Sequence, residues 1–208
     1  MTELILARHG ETEWNIEEIF RGRADIELNQ TGLKQAELLA KYLSSRQIDA
    51  IYSSPLKRAV KTAEAIARYH RLAVEIAPAL IDYDCGEWQG LLSKEVIDRY
   101  PQVHARWVSQ PHKVKIPGGE SLNDVRKRAV PVVSEIAARH RGTVVLVAHR
   151  VVNKVLICAL LGLANSHFWN IRQDVGGITT FSYEKGRFIL TEHNNTSFLT
   201  EKARLSDF

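Results

Sequence analysis

The chain has 208 residues, of which 45% are hydrophobic and 25% charged, and these proportions are typical of a single globular domain. We therefore predict one domain over residues 1–208, with a flexible polar tail at about 200–208. No apolar stretch is as long as a membrane span, and the chain opens directly into a predicted strand without the pattern of a signal peptide. The composition argues against a membrane partner.

The charge and the cysteine content narrow the class further. The net charge is +4 and the isoelectric point about 9.1, and the lysines and arginines are scattered, without dense runs or interleaved aromatic residues. This distribution favours an acidic small substrate and argues against a nucleic-acid partner. Cys85 and Cys158 form no CxxC pair, so we predict free thiols and a cytoplasmic location.

Strands and helices alternate along the chain, which predicts an α/β fold. A strand over residues 4–7 is followed by a polar loop over about 10–30 and by a helix that Thr31 and Gly32 open. The next strand covers residues 48–52, and Pro55 is placed near the first position of the helix after it. A short strand is predicted at 72–76.

Residues 77–120 are predicted to be rich in loops, with one short helix at about 93–100. Ser121 then caps a helix that carries Asp124 in its first turn and that Pro131 is expected to kink. The remaining elements are a strand over 144–148, a helix over about 151–161 and a hairpin over 178–183 and 188–191.

Two of the predicted strands end in histidine. The apolar run over residues 4–7 leads into Arg8 and His9, and the run over residues 144–148 leads into His149. A strand that is apolar throughout is typical of the centre of a parallel sheet, and ligands bind beyond the carboxyl ends of such strands. A lone histidine there is usually structural, but an arginine beside it favours a site for an anion.

A third segment points to the same edge of the sheet. Lys57 and Arg58 lie in the first turn of the helix after the 48–52 strand, where the partial positive charge of the helix disfavours a cation unless an anion is bound. Taken alone, Arg58 also fits a surface ion pair. Beside Arg8 and the two histidines, its forked guanidinium favours phosphate binding.

Other classes of phosphate-transferring enzyme lack their motifs here. The chain has no GxxxxGK[ST] loop and no HExxH metal motif. The arginine that a cysteine phosphatase needs six residues after its cysteine is replaced by Leu91 and Ala164, and Gly86 interrupts the pattern that would follow an Asp-x-Asp pair. Histidine remains as the candidate nucleophile, because a neutral imidazole can attack phosphorus while arginines balance the charge. We therefore predict that neither a metal nor another cofactor is needed.

The stretch Leu6-Ala7-Arg8-His9-Gly10-Glu11-Thr12-Glu13-Trp14-Asn15 resembles the signature of the histidine phosphatase superfamily, the phosphoglycerate mutase-like proteins. The resemblance covers nearly the whole chain and continues in Phe20-Arg21-Gly22, Leu28-Asn29-Gln30-Thr31-Gly32, Tyr52-Ser53-Ser54-Pro55-Leu56-Lys57-Arg58-Ala59, Gly86-Glu87-Trp88-Gln89-Gly90, Gly118-Gly119-Glu120-Ser121 and Ala148-His149. It implies a three-layer sandwich, with a mostly parallel central sheet and helices on both faces.

The resemblance also implies roles for individual residues. His9 would be the phosphorylated nucleophile, and Arg8, Arg58 and His149 would complete the phosphate pocket. The substrate would be contacted by residues of the segment after the first strand, namely Asn15, Arg21 and Gly22.

Two positions depart from the family pattern. The general acid is usually a glutamate, where this chain has Asp82, whose side chain is one methylene shorter. Asp82 is the preferred candidate for the acid, and Glu87 is the alternative. Arg150 follows the second histidine where many relatives have glycine, and its side chain is expected either to reach an acidic substrate or to point to solvent.

The family contains phosphatases and mutases. Only about thirty residues separate Gly86 from Gly118, fewer than in the mutases, and we expect the resulting open site to admit water. We predict a metal-independent phosphomonoesterase for small phosphorylated metabolites, phosphoserine among them. The alternatives are a 2,3-bisphosphoglycerate-dependent phosphoglycerate mutase and a non-catalytic phosphate-binding protein. Leu91, Leu92 and Trp107 are assigned either to the surface of a homodimer or to a substrate lid.

Overall fold

The computed structural model describes residues 1–200, so most of the predicted tail lies outside the described residues. A six-stranded sheet forms the centre of the protein. Its strands are β1 (Thr2–Arg8), β2 (Ile48–Ser53), β3 (Val74–Ile76), β4 (Gly142–Ala148), β5 (Ile178–Glu184) and β6 (Arg187–Asn195). They lie in the order β3-β2-β4-β1-β5-β6. The pairs among β3, β2, β4 and β1 are parallel, whereas β5 and β6 extend the sheet as an antiparallel hairpin.

Helices cover both faces of this sheet. They are α1 (Glu13–Ile16), α2 (Gln30–Leu43), α3 (Lys57–His70), α4 (Ser93–Arg99), α5 (Pro101–Ser109), α6 (Leu122–Arg139) and α7 (Arg150–Leu160). One apolar core joins α2 and α3 to the sheet, and the other joins α6 and α7 to its opposite face. The three-layer α/β sandwich predicted from the sequence is therefore confirmed.

The two central strands divide their side chains between the cores. In β1, Leu4 and Leu6 belong to the core under α6 and α7, whereas Ile5 belongs to the core under α2 and α3. In β4, Val144 and Val145 divide in the same way. Side chains alternate along a strand, so a run that is apolar at every position is buried on both faces. This is why the sequence placed both strands at the centre of the sheet.

Two predictions for the segments before and after α2 are wrong: one missed a short helix, and the other placed the start of a helix too early. The segment predicted as a loop over 10–30 contains α1, a single helical turn that is too short to show a periodic pattern. The helix predicted to start near Pro55 starts at Lys57, because Leu56 is still extended, with φ −75° and ψ 138°.

The excursion over residues 77–120 holds more regular structure than predicted. The short helix α4 was expected, but Pro101 opens a further helix, α5, in which the proline occupies the first turn and loses no hydrogen bond. The capping box of Ser121 and Asp124 is present as predicted, with the Ser121 side chain accepting from the Asp124 amide. Helix α6 continues across Pro131. Within residues 1–200, no helix is long and apolar enough to cross a lipid bilayer.

Candidate active site

The two predicted histidines lie side by side at one edge of the sheet. His9 directly follows β1 and His149 directly follows β4, and these strands pair in parallel with Arg8 opposite Ala148. The imidazole ring centres are 5.1 Å apart, and both side chains are buried. The register of the two central strands therefore brings together two residues that are 140 positions apart in the sequence.

His9 is held in one tautomer by its neighbour. Its Nδ1 lies 2.6 Å from the carbonyl oxygen of Gly10. A carbonyl only accepts, so Nδ1 carries the proton and Nε2 keeps its lone pair. Burial, and then the positive charge of Arg58, hold the pKa of His9 well below its usual value. The imidazole is neutral at pH 7, as a nucleophile must be.

The turn after His9 depends on a glycine. A Cβ atom at Gly10 would lie 2.5 Å from the carbonyl oxygen of Gly32 in α2, a distance that no side chain tolerates. The Gly10 amide donates to the hydroxyl of Thr62 in α3 at 3.2 Å. The loop that carries the candidate nucleophile is thus packed directly against two helices.

Two fully buried arginines lie at the same edge. Arg8 donates to the carbonyl oxygen of Gln173 at 2.8 Å. Arg58, in the first turn of α3, donates to the carbonyl oxygens of Ala24 and Gly22 at 2.7 and 2.9 Å. Its buried Nε has no hydrogen-bond partner within residues 1–200. An unsatisfied buried N–H is unfavourable, and an oxygen of a bound phosphoryl group is the kind of acceptor that satisfies it.

One ring nitrogen of His149 is hydrogen-bonded and the other faces Asp82. Its Nε2 lies 2.7 Å from the hydroxyl of Ser54, which itself accepts from the Leu56 amide at 3.4 Å. The other ring nitrogen, Nδ1, lies 3.5 Å from the Asp82 carboxylate. Burial, followed by the charge of Arg58, lowers the pKa of His149 well below its usual value.

The structure favours Asp82 over Glu87 as the acidic residue of the site. The Asp82 carboxylate lines the cavity above His9, and it accepts from Arg58 at 2.9 Å and from the Tyr83 amide at 2.8 Å. Glu87 is exposed, lies outside the cavity lining and accepts from the hydroxyl of Tyr100 at 2.9 Å.

A cavity of about 390 Å³ opens above His9 and contains all three predicted substrate-binding positions, Asn15, Arg21 and Gly22. The Oδ1 atom of Asn15 caps α1 by accepting from the Thr12 amide at 2.9 Å. Gly22 has a φ of +49°, and a Cβ atom there would lie 3.1 Å from the Cβ atom of Cys85, so the position favours glycine. Its carbonyl oxygen, as described above, holds Arg58.

Six aromatic side chains line the cavity and form its wall. They are Phe20, Tyr83, Trp88, Trp107, Phe168 and Trp169. Tyr83 stacks on Trp107 with ring centres 5.5 Å apart, and Trp169 donates to the Trp107 carbonyl oxygen at 2.9 Å. The assignment of Trp107 to a dimer surface is wrong, because the residue is only 6% exposed and packs inside the protein. Leu92 is 44% exposed, and the homodimer stays a prediction.

Helix α7 contributes two basic residues near this wall: Arg150, which lines the cavity, and Lys154, which packs against the wall's aromatic rings. Arg150 lines the cavity, with its guanidinium 5.7 Å from the centre of the Trp169 ring, which places it at the site. Sequence reasoning missed Lys154, whose ammonium lies 4.2 Å from the Phe168 ring centre. Burial, and then Arg150, lower the pKa of Lys154 to about 7. A lysine inside the apolar run of α7 was the signal for it.

Comparison with known proteins identifies the family. The family model described as "Histidine phosphatase superfamily (branch 1)" matches residues 4–196. Phosphoserine phosphatase 1 of Hydrogenobacter thermophilus is 42% identical over 202 residues, which cover 97% of this chain and 96% of that protein.

Solved structures agree with the sequence matches. Bacillus stearothermophilus YhfR superposes with a TM-score of 0.91 at 30% identity, covering 95% of this chain and 99% of that one. A phosphoserine phosphatase variant of Entamoeba histolytica, solved in complex with phosphoserine, has a TM-score of 0.87 at 30% identity, covering 96% and 100%. The chain with paired histidines at its sheet edge thus belongs to the histidine phosphatase superfamily, branch 1, and is a phosphomonoesterase.

Proposed function

We propose that this protein hydrolyses small phosphomonoesters such as O-phosphoserine through a phosphohistidine formed on His9. The observation that carries the proposal is the tautomer of His9: the Gly10 carbonyl holds the proton on Nδ1, so the Nε2 lone pair is available beside His149. The names of the relatives from Hydrogenobacter thermophilus and Entamoeba histolytica support phosphoserine as a substrate.

In the first step, Nε2 of His9 attacks phosphorus, a P–N bond forms and the P–O bond to the alcohol breaks. Arg8 and Arg58 balance the negative charge on the phosphoryl oxygens, and the neutral His149 donates a further hydrogen bond to them. Asp82 in its protonated form gives its proton to the leaving alkoxide. Each of these groups touches the phosphoryl group or the leaving oxygen, so each is proposed as catalytic.

In the second step, water attacks phosphorus and the P–N bond breaks. The Asp82 carboxylate accepts a proton from this water and is thereby ready for the next turnover. His9 leaves as the neutral imidazole, and inorganic phosphate is released. No step uses a metal ion, and within residues 1–200 no group of three His, Cys, Asp or Glu side chains is placed to hold one.

The rest of the small phosphorylated substrate is assigned to the cavity above His9. Asn15, Arg21 and Arg150 all line this cavity, so a carboxylate on the alcohol can meet a guanidinium. We also propose that the protein acts in the cytoplasm, which both free, buried thiols support.

The test is to trap the intermediate. With phosphoserine labelled in its phosphoryl group, rapid acid-free quenching is expected to leave label on the wild-type protein, and His9→Ala is expected to lose both the label and turnover. His167→Ala, which removes an exposed histidine, is the matched control and should retain both. Turnover by His9→Ala within tenfold of wild type contradicts the assignment.

Two further assays separate the alternatives. Hydrolysis that persists in excess chelator supports the metal-independent reaction, and its loss contradicts it. Mutase activity is measured with 3-phosphoglycerate, with and without 2,3-bisphosphoglycerate. Primer-dependent isomerisation faster than hydrolysis would assign the chain to the mutases.

A further inference from the structure

Asp82 lies on a segment without regular structure, between the short turns at Pro78–Leu80 and Gly86–Trp88. An aspartate has a single methylene between its backbone and its carboxyl group, so the position of the backbone decides where the carboxylate lies. A misplacement of roughly 1 Å in a reacting group costs about a hundredfold in rate. The segment therefore needs a restraint that its own backbone does not supply.

Arg128 of α6 supplies contacts of this kind. Its guanidinium donates to the carbonyl oxygen of Asp82 at 3.1 Å and to that of Ala79 at 2.6 Å. One planar group thus binds the backbone both within the turn that precedes Asp82 and at Asp82 itself. A lysine ammonium in this position has no second nitrogen to bind the two carbonyls in one fixed geometry.

The other edge of the same guanidinium is fixed by Glu120. Arg128 Nε and one terminal nitrogen bind the two carboxylate oxygens of Glu120 at 2.9 and 3.0 Å, a bidentate pair. Glu120 in turn accepts from the amide of Asp84 at 3.1 Å, and its own amide donates to the Asp84 carbonyl at 3.0 Å. The acidic segment is thereby attached to α6 on both sides of Asp82.

Because Arg128 and Glu120 are largely buried, their contacts are only partly weakened by water. Their side chains are 20% and 15% exposed. Arg23 adds a contact to the Asp82 carbonyl at 3.4 Å, but its side chain is 36% exposed and it is the weaker member. On the inner side, the Asp82 carboxylate is held by Arg58.

We propose that Arg128, fixed by Glu120, is a positioning residue that holds the backbone of Asp82 so that its carboxyl group reaches the leaving oxygen of the substrate. Arg128 touches neither the phosphoryl group nor the leaving group, and it acts through Asp82 alone. This inference rests on the role of Asp82 as general acid in the proposed function.

The test compares two substrates, one whose leaving group must be protonated and one whose leaving group need not be. An alkyl phosphate such as phosphoserine requires protonation of its alkoxide, whereas p-nitrophenyl phosphate releases a stable phenolate. The quantity compared is kcat/KM, because it covers only the steps up to the phosphohistidine and leaves out the attack by water, in which Asp82 acts on both substrates alike. We expect Arg128→Lys to lower kcat/KM for phosphoserine about 10- to 100-fold and kcat/KM for p-nitrophenyl phosphate less than threefold. Arg126→Lys is the matched control, since Arg126 lies on the same helix and binds the Leu163 carbonyl at 2.7 Å instead.

The reference variant is Asp82→Asn. If it lacks selectivity between the two substrates, the acid assignment fails, whatever Arg128→Lys does. If Asp82→Asn is selective and Arg128→Lys lowers both rates equally or neither, Arg128 is structural or dispensable and the positioning role is overturned. In the double variant, Arg128→Lys is expected to add less than a twofold further loss to that of Asp82→Asn, and a full multiplicative loss overturns the proposal.

Discussion

The floor and the wall of the cavity are built by different means. The floor carries Arg8, His9 and His149 at the ends of paired parallel strands, where the register of β1 and β4 fixes their separation. The wall comes from loops and short helices, and side-chain contacts such as the Tyr83–Trp107 stack hold it in place. Residues positioned by sheet register are rigid and can bind the phosphoryl group that all substrates have in common. Residues positioned by side-chain contacts can be substituted without altering the sheet. The floor is thus suited to the phosphoryl group and the wall to the alcohol.

The largest effect is expected from a change at Arg58, which lies in the first turn of α3 and completes the floor. Arg58→Lys removes the fork that binds Gly22, Ala24 and Asp82, and we expect kcat/KM to fall by about 10²–10³ for every phosphomonoester tested. Arg68→Lys is the control, since Arg68 lies on the same helix, is exposed and pairs with Glu37. A loss of less than tenfold, or one confined to some substrates, would erase the distinction between floor and wall.

A second change addresses a cation behind the wall. Lys154 has a pKa of about 7 in the folded protein and about 10.4 in an unfolded chain, so between these values only the unfolded chain binds the proton. The free energy of unfolding should fall as the pH drops from about 10 to 7 and then level off. Lys154→Met should remove this slope and raise stability at pH 7 by about 1–4 kcal/mol.

Urea unfolding of both proteins at several pH values measures this slope. Lys61→Met, which changes an exposed lysine of α3, is the control and should keep the wild-type pH dependence. An unchanged slope in Lys154→Met would mean that the ammonium between the aromatic rings stays protonated.

A conservative change in the wall should have a smaller effect that depends on the substrate. Trp107→Phe keeps an aromatic ring but reduces the area of its contact with Tyr83. An aromatic contact contributes about 1 kcal/mol, which corresponds to about a fivefold change in KM. We expect kcat to change less than twofold. Steady-state kinetics on phosphoserine and a bulkier phosphomonoester measure both values, with exposed Val108→Ala as the control. Equal changes for the two substrates would contradict a role in selectivity.

The smallest effect concerns the protonation of the floor. A histidine with a pKa of about 6.5 loses its neutral form about tenfold between pH 7.5 and 5.5. Burial holds the pKa of His9 and His149 well below that value, so their ring nitrogens should keep neutral NMR shifts over this range. The unfolded chain binds those protons, so stability should fall as the pH drops below about 6.5. Titration of either ring near 6.5 would contradict the description of the floor.

The floor was predictable from the sequence and most of the wall was not. His9 and His149 follow apolar runs that only central strands show, so their positions follow from local pattern and the rule for parallel sheets. Helix α5 was missed because Pro101 reads as a break, although it occupies the first turn. Phe168 and Trp169 belong to a short turn without periodicity, and their approach to Trp107 is a tertiary contact.

Asp82 was partly predictable, since the sequence identified the residue but not its position in the site. Asp82 was predicted to be the general acid from the resemblance to the histidine phosphatase superfamily. Its distance from Arg58 depends on a loop whose path no local sequence pattern predicts. The Arg128–Glu120 pair that holds this loop joins residues of α6 and the preceding turn. Their charges are ordinary in the sequence, and only the fold shows which backbone carbonyls they bind.

The parallel pairing of β1 with β4 has a consequence for synthesis on the ribosome. The imidazole of His9 leaves the exit tunnel early, whereas that of His149 follows β4 and is translated 140 residues later. A nascent polypeptide that stops short of β4 has the nucleophile without the pocket. Dephosphorylation is therefore expected only after β4 has been synthesised and has paired with β1, and it would serve as a reporter of that pairing during translation.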